Sequence, residues 1–157
     1  MSREAEDEQE ADRSTGETFL ADTDLFFFYL RGGRCEVQAE KVIKQATAGL
    51  VSLKTSSEVY DDAISAIRAD EDSLDVAHNF VSDMRSIPHV AMPMSAEVAE
   101  DAIGLYIEHG GRRRLSYFDS FHVACARRYG LTLLTSDGWI IENRKSLDLS
   151  VKDLARW

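Results

Sequence analysis

From Thr18 onward, short runs of apolar residues alternate with longer stretches whose apolar positions recur at helical spacing. "TFLAD", "GLVSLKTS" and "LTLLT" are too uniformly apolar to carry a wet face and predict buried strands. "PHVAMPM", between Pro88 and Pro93, predicts a short extended piece, and "LSVKDL" a last edge strand. Between them fall the helices. The first is capped by Asp24, runs to about Leu30 and is ended by Gly32 or Gly33; the second spans Glu36 to Ala48. The third is capped by Ser56 or Ser57 and runs to about Arg68, and another covers Ser73 to Met84. "SAEVAEDAIGLYIEHGG" starts at a Ser95 cap and stops at Gly110-Gly111, and "SYFDSFHVACARRYG" is closed by Gly130. Residues 1–16 are polar, charged and without period, which predicts a disordered acidic tail before a folded domain over 17–157. Strands and helices in alternation, without an internal repeat, predict a three-layer α/β domain with a small, mostly parallel sheet flanked by helices.

The 157 residues suffice for one domain with a substantial core. No apolar run approaches the roughly 18 residues of a membrane span, and the polar N-terminus does not read as a secretory signal. Two cysteines, Cys35 and Cys125, give no disulfide framework, so the expected compartment is the cytoplasm and Cys125 reads as a small buried residue. The net charge is −10, half of it in residues 1–17, where seven acids face two arginines. Such a chain repels nucleic acid at long range, unless a salt-rich cell screens the surface.

The acids are not spread evenly. In open α/β sheets ligands bind beyond the carboxyl ends of the strands. Asp22 closes the first strand, Glu58, Asp61 and Asp62 follow the second, Thr135 and Asp137 end the third, and Asp119 begins the helix before it. Carboxylates a few ångströms apart repel by about 4 kcal/mol per pair at an effective dielectric near 20. Protons or cations must neutralise such a group, and hard oxygen donors suit Mg²⁺ or Mn²⁺. Taken singly, Asp24 is most simply a cap, Asp119 a favourable charge on a helix dipole and Asp137 a turn residue. Converging on one rim, they point to phosphodiester chemistry at a metal site.

"FLADTDLFFFYLRG", "TSSEVYDDAISAIRA", "RLSYFDSFHVACARRYG" and "LTLLTSDGWI", in this order and spacing, resemble the PIN-domain family and, within it, VapC-type toxins of toxin–antitoxin pairs. The resemblance runs from Thr18 to Trp139 and implies an Mg²⁺- or Mn²⁺-dependent ribonuclease with a small parallel sheet. It places the family's acids on Asp22, Asp62, Asp119 and Asp137 as catalytic, metal-holding residues. Thr135 takes the place of a hydroxyl that orders the metal's surroundings, and Asp24 stands where asparagine is common. The second acid is usually glutamate, and Asp61 and Glu58 compete with Asp62 for the role.

Arg112, Arg113 and Arg114, with Arg31 and Arg34, are the basic groups best suited to RNA phosphates, a solvated loop being the alternative. His122, on the Asp119 helix face, reads as a packing or supporting contact rather than a ligand. Phe26 to Tyr29 and Ile103, Leu105, Tyr106 and Ile107 read as mostly core, and the resemblance adds that such helices bury surface in a homodimer or against a small antitoxin. Two other readings compete with a toxin endoribonuclease. One is a catalytically weak or inactive PIN-like domain that binds RNA or a protein partner. The other starts from "DTD", which resembles haloacid-dehalogenase phosphatases but lacks the small residue, hydroxyl and lysine motif they require.

Overall fold

In the computed structural model, which describes residues 16–157, β1 (Thr18–Ala21) is the central strand of a five-stranded sheet. The predicted acidic tail falls on residues 1–15, outside the described residues, except for Gly16, whose position against the Leu50 carbonyl leaves no room for a side chain. β2 (Ser52–Ser56) and β3 (Val90–Met92) follow on one side, and β4 (Thr132–Thr135) and β5 (Val151–Asp153) on the other. All four pairings are parallel, so the sheet is parallel throughout rather than mostly so. The two prolines flanking β3 hold it to three residues at an edge, where an absent N–H costs least.

The faces of β1 alternate, as the period of two requires. Phe19 and Ala21 pack beneath α1 (Thr23–Arg31), α2 (Glu36–Thr47), α3 (Val59–Glu71) and α4 (Leu74–Arg85). Leu20 turns to the opposite core under α5 (Ala96–His109), α6 (Tyr117–Arg128) and α7 (Gly138–Asn143). Leu134 and Leu133 of β4 divide in the same way. Because connections on the two sides of β1 lie on opposite faces, the chain diverges between β1 and β4, and their carboxyl ends leave a crevice there.

Several local expectations need correction. Asp24 does not cap α1: Asp22 is the extended cap residue, its carboxylate accepting from Thr23 N at 2.6 Å, and Asp24 lies within the first turn. Neither Ser56 nor Ser57 caps α3, whose cap position is Glu58 without a side-chain bond. Ser57 Oγ instead accepts from Met94 N, tying β3 to β2, and Ser56 turns into the crevice. Helix α7 had no counterpart in the pattern. Of the four apolar residues assigned to the α5 core, only Leu105 is buried; Ile103, Tyr106 and Ile107 are exposed, Ile107 at 81 %. The helix buries Val98, Ala102 and Leu105 in the core, with Ala99 partly buried beside them, a stripe too narrow to include the other three. Phe26 is buried as expected, Phe27 and Phe28 partly so, and Tyr29 is exposed. Among the described residues no helix is long and apolar enough to cross a membrane.

Candidate metal centre

Three elements deliver four side chains to the crevice. Asp22 leaves the end of β1, Asp62 sits in the first turn of α3, Asp119 in the first turn of α6, and His122 one turn further on the same helix. Each offers one donor atom such that all four lie within 4.8 Å of one another. The helix starts are fixed by ordinary means. Ser116 Oγ accepts from Asp119 N, opening α6 with Asp119 near its positive end.

Asp22 is 3 % exposed and both of its oxygens are engaged. Oδ1 accepts from Thr23 N at 2.6 Å and Oδ2 from Thr135 Oγ1 at 2.7 Å. Thr135 Oγ1 in turn accepts from Asp137 N at 3.1 Å. Asp62 Oδ2 accepts from Thr23 Oγ1 at 2.6 Å and lies 3.2 Å from His122 Nε2. The other imidazole nitrogen is 2.7 Å from Ser56 Oγ at the end of β2. His122 is thus buried and held at both nitrogens, between Ser56 and the acids.

The charge balance shows in the protonation of the site. Burial, then the neighbouring Asp119 and Asp24, hold the Asp22 carboxyl well above the ordinary carboxylate range. Burial raises Asp119 to about 6, helped by Asp137 and Asp62 and opposed by His122 and Ser116. Asp24 is raised by burial and by Asp137 and Asp62, against its bond from Ser136 Oγ and the charge of Arg34. Burial pulls His122 down, but the bond to Asp62 and the charges of Asp22 and Asp119 win and lift it to about 8. Carboxyls raised in this way are ones whose charged forms a bound cation would favour. Three hard oxygens beside one imidazole fit a small divalent cation of the Mg²⁺ or Mn²⁺ kind.

The remaining expected site residues divide. Asp137 stands outside the four-residue group, and its Oδ1 accepts from Ile140 N to cap α7. Its charge still reaches Asp24 and Asp119. Asp61 is exposed, and Glu58, raised by burial and Asp61, is also outside the group. Arg34 donates to the Ser136 carbonyl at 2.9 Å and so lies at the rim, whereas Arg31 is paired with Glu71 at 2.6 Å. Arg112, Arg113 and Arg114 are exposed on the loop between α5 and α6, Arg114 lying over the Trp139 ring. Cys125 is buried, and its thiol is pushed up to about 11 by burial. Thr23, Ser56 and Ser136 were not anticipated as site residues; only the "DTD" and "TSD" spellings hinted at hydroxyls there.

The family model of the PIN domain matches residues 19–144. No curated protein matches the chain in sequence. Among solved structures the fold is similar to that of VapBC2 from Rickettsia felis bound to a DNA fragment from their promoter. There the TM-score is 0.63 at 13 % identity, over 87 % of this chain and 98 % of that one. It is also similar to DNA-bound VapBC from Salmonella typhimurium (TM-score 0.62, 15 % identity, 88 % and 98 % covered). A third is FitAcB from Neisseria gonorrhoeae (TM-score 0.60, 16 % identity, 88 % and 99 % covered).

Proposed function

The chain belongs to the PIN-domain family, and from that premise we propose that it is a metal-dependent endoribonuclease hydrolysing RNA phosphodiester bonds, the toxin of a VapBC-type pair. The observation that carries this reading is the meeting of Asp22, Asp62 and Asp119 at the carboxyl ends of a parallel sheet, where burial and neighbouring acids raise the carboxyls of Asp22 and Asp119. Asp22, Asp62 and Asp119 would hold Mg²⁺ or Mn²⁺, with Asp137 adding charge beside them. When bound, such an ion polarises phosphoryl oxygens and lowers the pKa of a water.

The chain's own residues prepare the site. Thr23 and Thr135 orient Asp22 through its two oxygens, which keeps the carboxylate from turning away from its neighbours. The sheet and helices bury the acids on the protein side and leave Asp62 partly open toward solvent, where a phosphate would approach. Arg34 at the rim and Arg112, Arg113 and Arg114 on the neighbouring loop supply the positive charge that a polyanion needs on an otherwise acidic surface. An antitoxin partner is supported by the toxin–antitoxin complexes whose fold the chain shares, and a homodimer by Ile103, Tyr106 and Ile107, which α5 leaves exposed on one helix. Cytoplasmic location goes with that role.

A second reading, RNA or protein binding without cleavage, draws on His122, which already places a cation inside the acid group without any metal. Incubating purified protein with a mixed RNA pool in Mg²⁺, Mn²⁺ or chelator, beside Asp119→Asn, separates the two. Metal-dependent fragments from the parent alone support the nuclease; RNA retention without fragments in any metal supports the second reading.

A further inference from the structure

Resting on the metal-site reading above, we propose that Thr23 and His122 are positioning residues that fix Asp62 through one oxygen, and that His122 is a hydrogen-bond donor in this site and not a ligand. The argument follows the hydrogens. Asp62 is an acceptor when ionised, so the 2.6 Å contact from Thr23 uses the only hydrogen of the threonine hydroxyl. Thr23 Oγ1 is also 3.1 Å from His122 Nε2, and with its hydrogen spent it can only accept. Nε2 must therefore carry a hydrogen, directed between Thr23 Oγ1 and Asp62 Oδ2 at 3.1 and 3.2 Å. A protonated Nε2 has no lone pair to give a cation, although His122 belongs to the four-residue group.

Ser56 completes the array from the far side. Its hydroxyl is 2.7 Å from Nδ1, and both Ser56 and His122 are buried, so the ring cannot rotate without abandoning a buried partner. Both protein bonds on Asp62 fall on Oδ2; among the described residues no donor is bonded to Oδ1. One residue thus serves two acids: Thr23 gives its backbone N–H to Asp22 and its hydroxyl to Asp62. The first and second acids, 40 positions apart in sequence, are set relative to each other through this single threonine. Outer partners of this kind govern metal affinity by about 10- to 100-fold.

The test measures metal binding without RNA. Full-length protein, Thr23→Val and Thr23→Ser are titrated with Mn²⁺ by calorimetry, with circular dichroism melts alongside. Valine keeps the shape and removes the hydroxyl, while the backbone N–H to Asp22 remains. The expected result is Mn²⁺ affinity lowered about 10- to 100-fold in Thr23→Val and restored in Thr23→Ser. Equal affinity in wild type and Thr23→Val, or serine no better than valine, overturns the role of the hydroxyl. Wild type that binds no Mn²⁺ sinks the metal site itself, a result distinguishable from either. If Thr23→Val does not fold, nitrogen-15 NMR of wild-type His122 decides: Nε2 keeping its hydrogen when the protein is saturated with Mg²⁺ supports the proposal, and its loss makes His122 a ligand and overturns it.

Discussion

Thr135 Oγ1 donates to Asp22 Oδ2 at 2.7 Å, joining the end of β4 to the end of β1 across 113 positions of sequence, and the same oxygen accepts from Asp137 N. One hydroxyl therefore orients the first acid and starts the turn into α7. Each of its partners is buried or partly buried and has little access to water as a substitute.

Thr135→Val should accordingly cost about 1–3 kcal/mol of stability, because a buried acceptor and a backbone donor both lose their partner while the shape is kept. Thr135→Ser should recover most of it. Denaturant unfolding of both variants in chelator measures this, and a valine variant as stable as wild type would remove the hydroxyl from the account.

Asp119→Asn should raise the melting temperature of metal-free protein at pH 8 while abolishing metal-dependent cleavage, since it deletes a charge that burial, Asp137 and Asp62 disfavour. Asp22→Asn is a less clean probe. An amide there can accept through one atom only, so it sets a donor against Thr23 N or Thr135 Oγ1. A metal-free Asp119→Asn that melts below wild type would mean the carboxylate is structural.

In chelator, stability should fall as pH rises from about 4 to 8. Asp119 has a folded pKa of about 6 against an ordinary 3.8, so its contribution is complete below 3.8 and lost by about 6, on the order of 3 kcal/mol. Asp22 and Asp24 are raised as well and act in the same direction. His122, raised from 6.5 to about 8, contributes below 6.5 and loses that contribution as pH passes 8. The charges facing these groups are Asp22 at the end of β1, Asp24 in α1, Arg34 in the turn after it, Glu58 and Asp62 at the start of α3, Asp119 and His122 in α6, and Asp137 at the α7 cap. Added Mg²⁺ should restore stability at pH 8. Melts in chelator that climb steadily from pH 5 to 8 would contradict the whole charge balance.

The layers, the parallel sheet and the two cores were legible because Phe19, Leu20, Leu133 and Leu134 have no polar neighbour to spare for a wet face. Helix α7 was not legible: six residues carry too little period, and its cap, Asp137, had already been claimed for the metal. The exposed face of α5 was misread because Ile103 and Ile107 look like core until the narrow stripe that meets α6 is known. The strand-end acids could be found from order alone. Of their partners, Thr135 and His122 were legible as supporting groups, but Thr23 and Ser56 were not, since they meet Asp62 and His122 across 39 and 66 positions and nothing local marks the pairing.

Asp137 bears two duties that substitution can separate. Its Oδ1 caps α7, a role asparagine fills about as well. Asp137→Asn should then keep the melting temperature and weaken Mn²⁺ binding, whereas Asp137→Ala should also lose about 1 kcal/mol of stability. Unaltered Mn²⁺ affinity in Asp137→Asn would reduce the residue to a cap.

The start of α3 favours Asp62 as the second acid. Val59, Ala63 and Ile67 face the core, which leaves Asp62 at the border of that stripe, where its Oδ2 meets Thr23 and His122. Asp61 turns outward and is exposed. Glu58, at the cap position one turn earlier, stands beside Ser56 and Ser57 facing Met92 and Pro93. Asp62→Ala should therefore abolish metal-dependent cleavage, and Asp61→Ala and Glu58→Ala should retain most of it. Asp62→Glu is a sharper comparison. Its added methylene moves the carboxylate past the two donors that hold Oδ2, so any activity it keeps depends less on Thr23. Combining Asp62→Glu with Thr23→Val should cost less in Mn²⁺ affinity than the two losses added separately, the signature of partners in contact. Cleavage that survives Asp62→Ala and disappears in Glu58→Ala would instead move the second acid one helical turn toward the N-terminus.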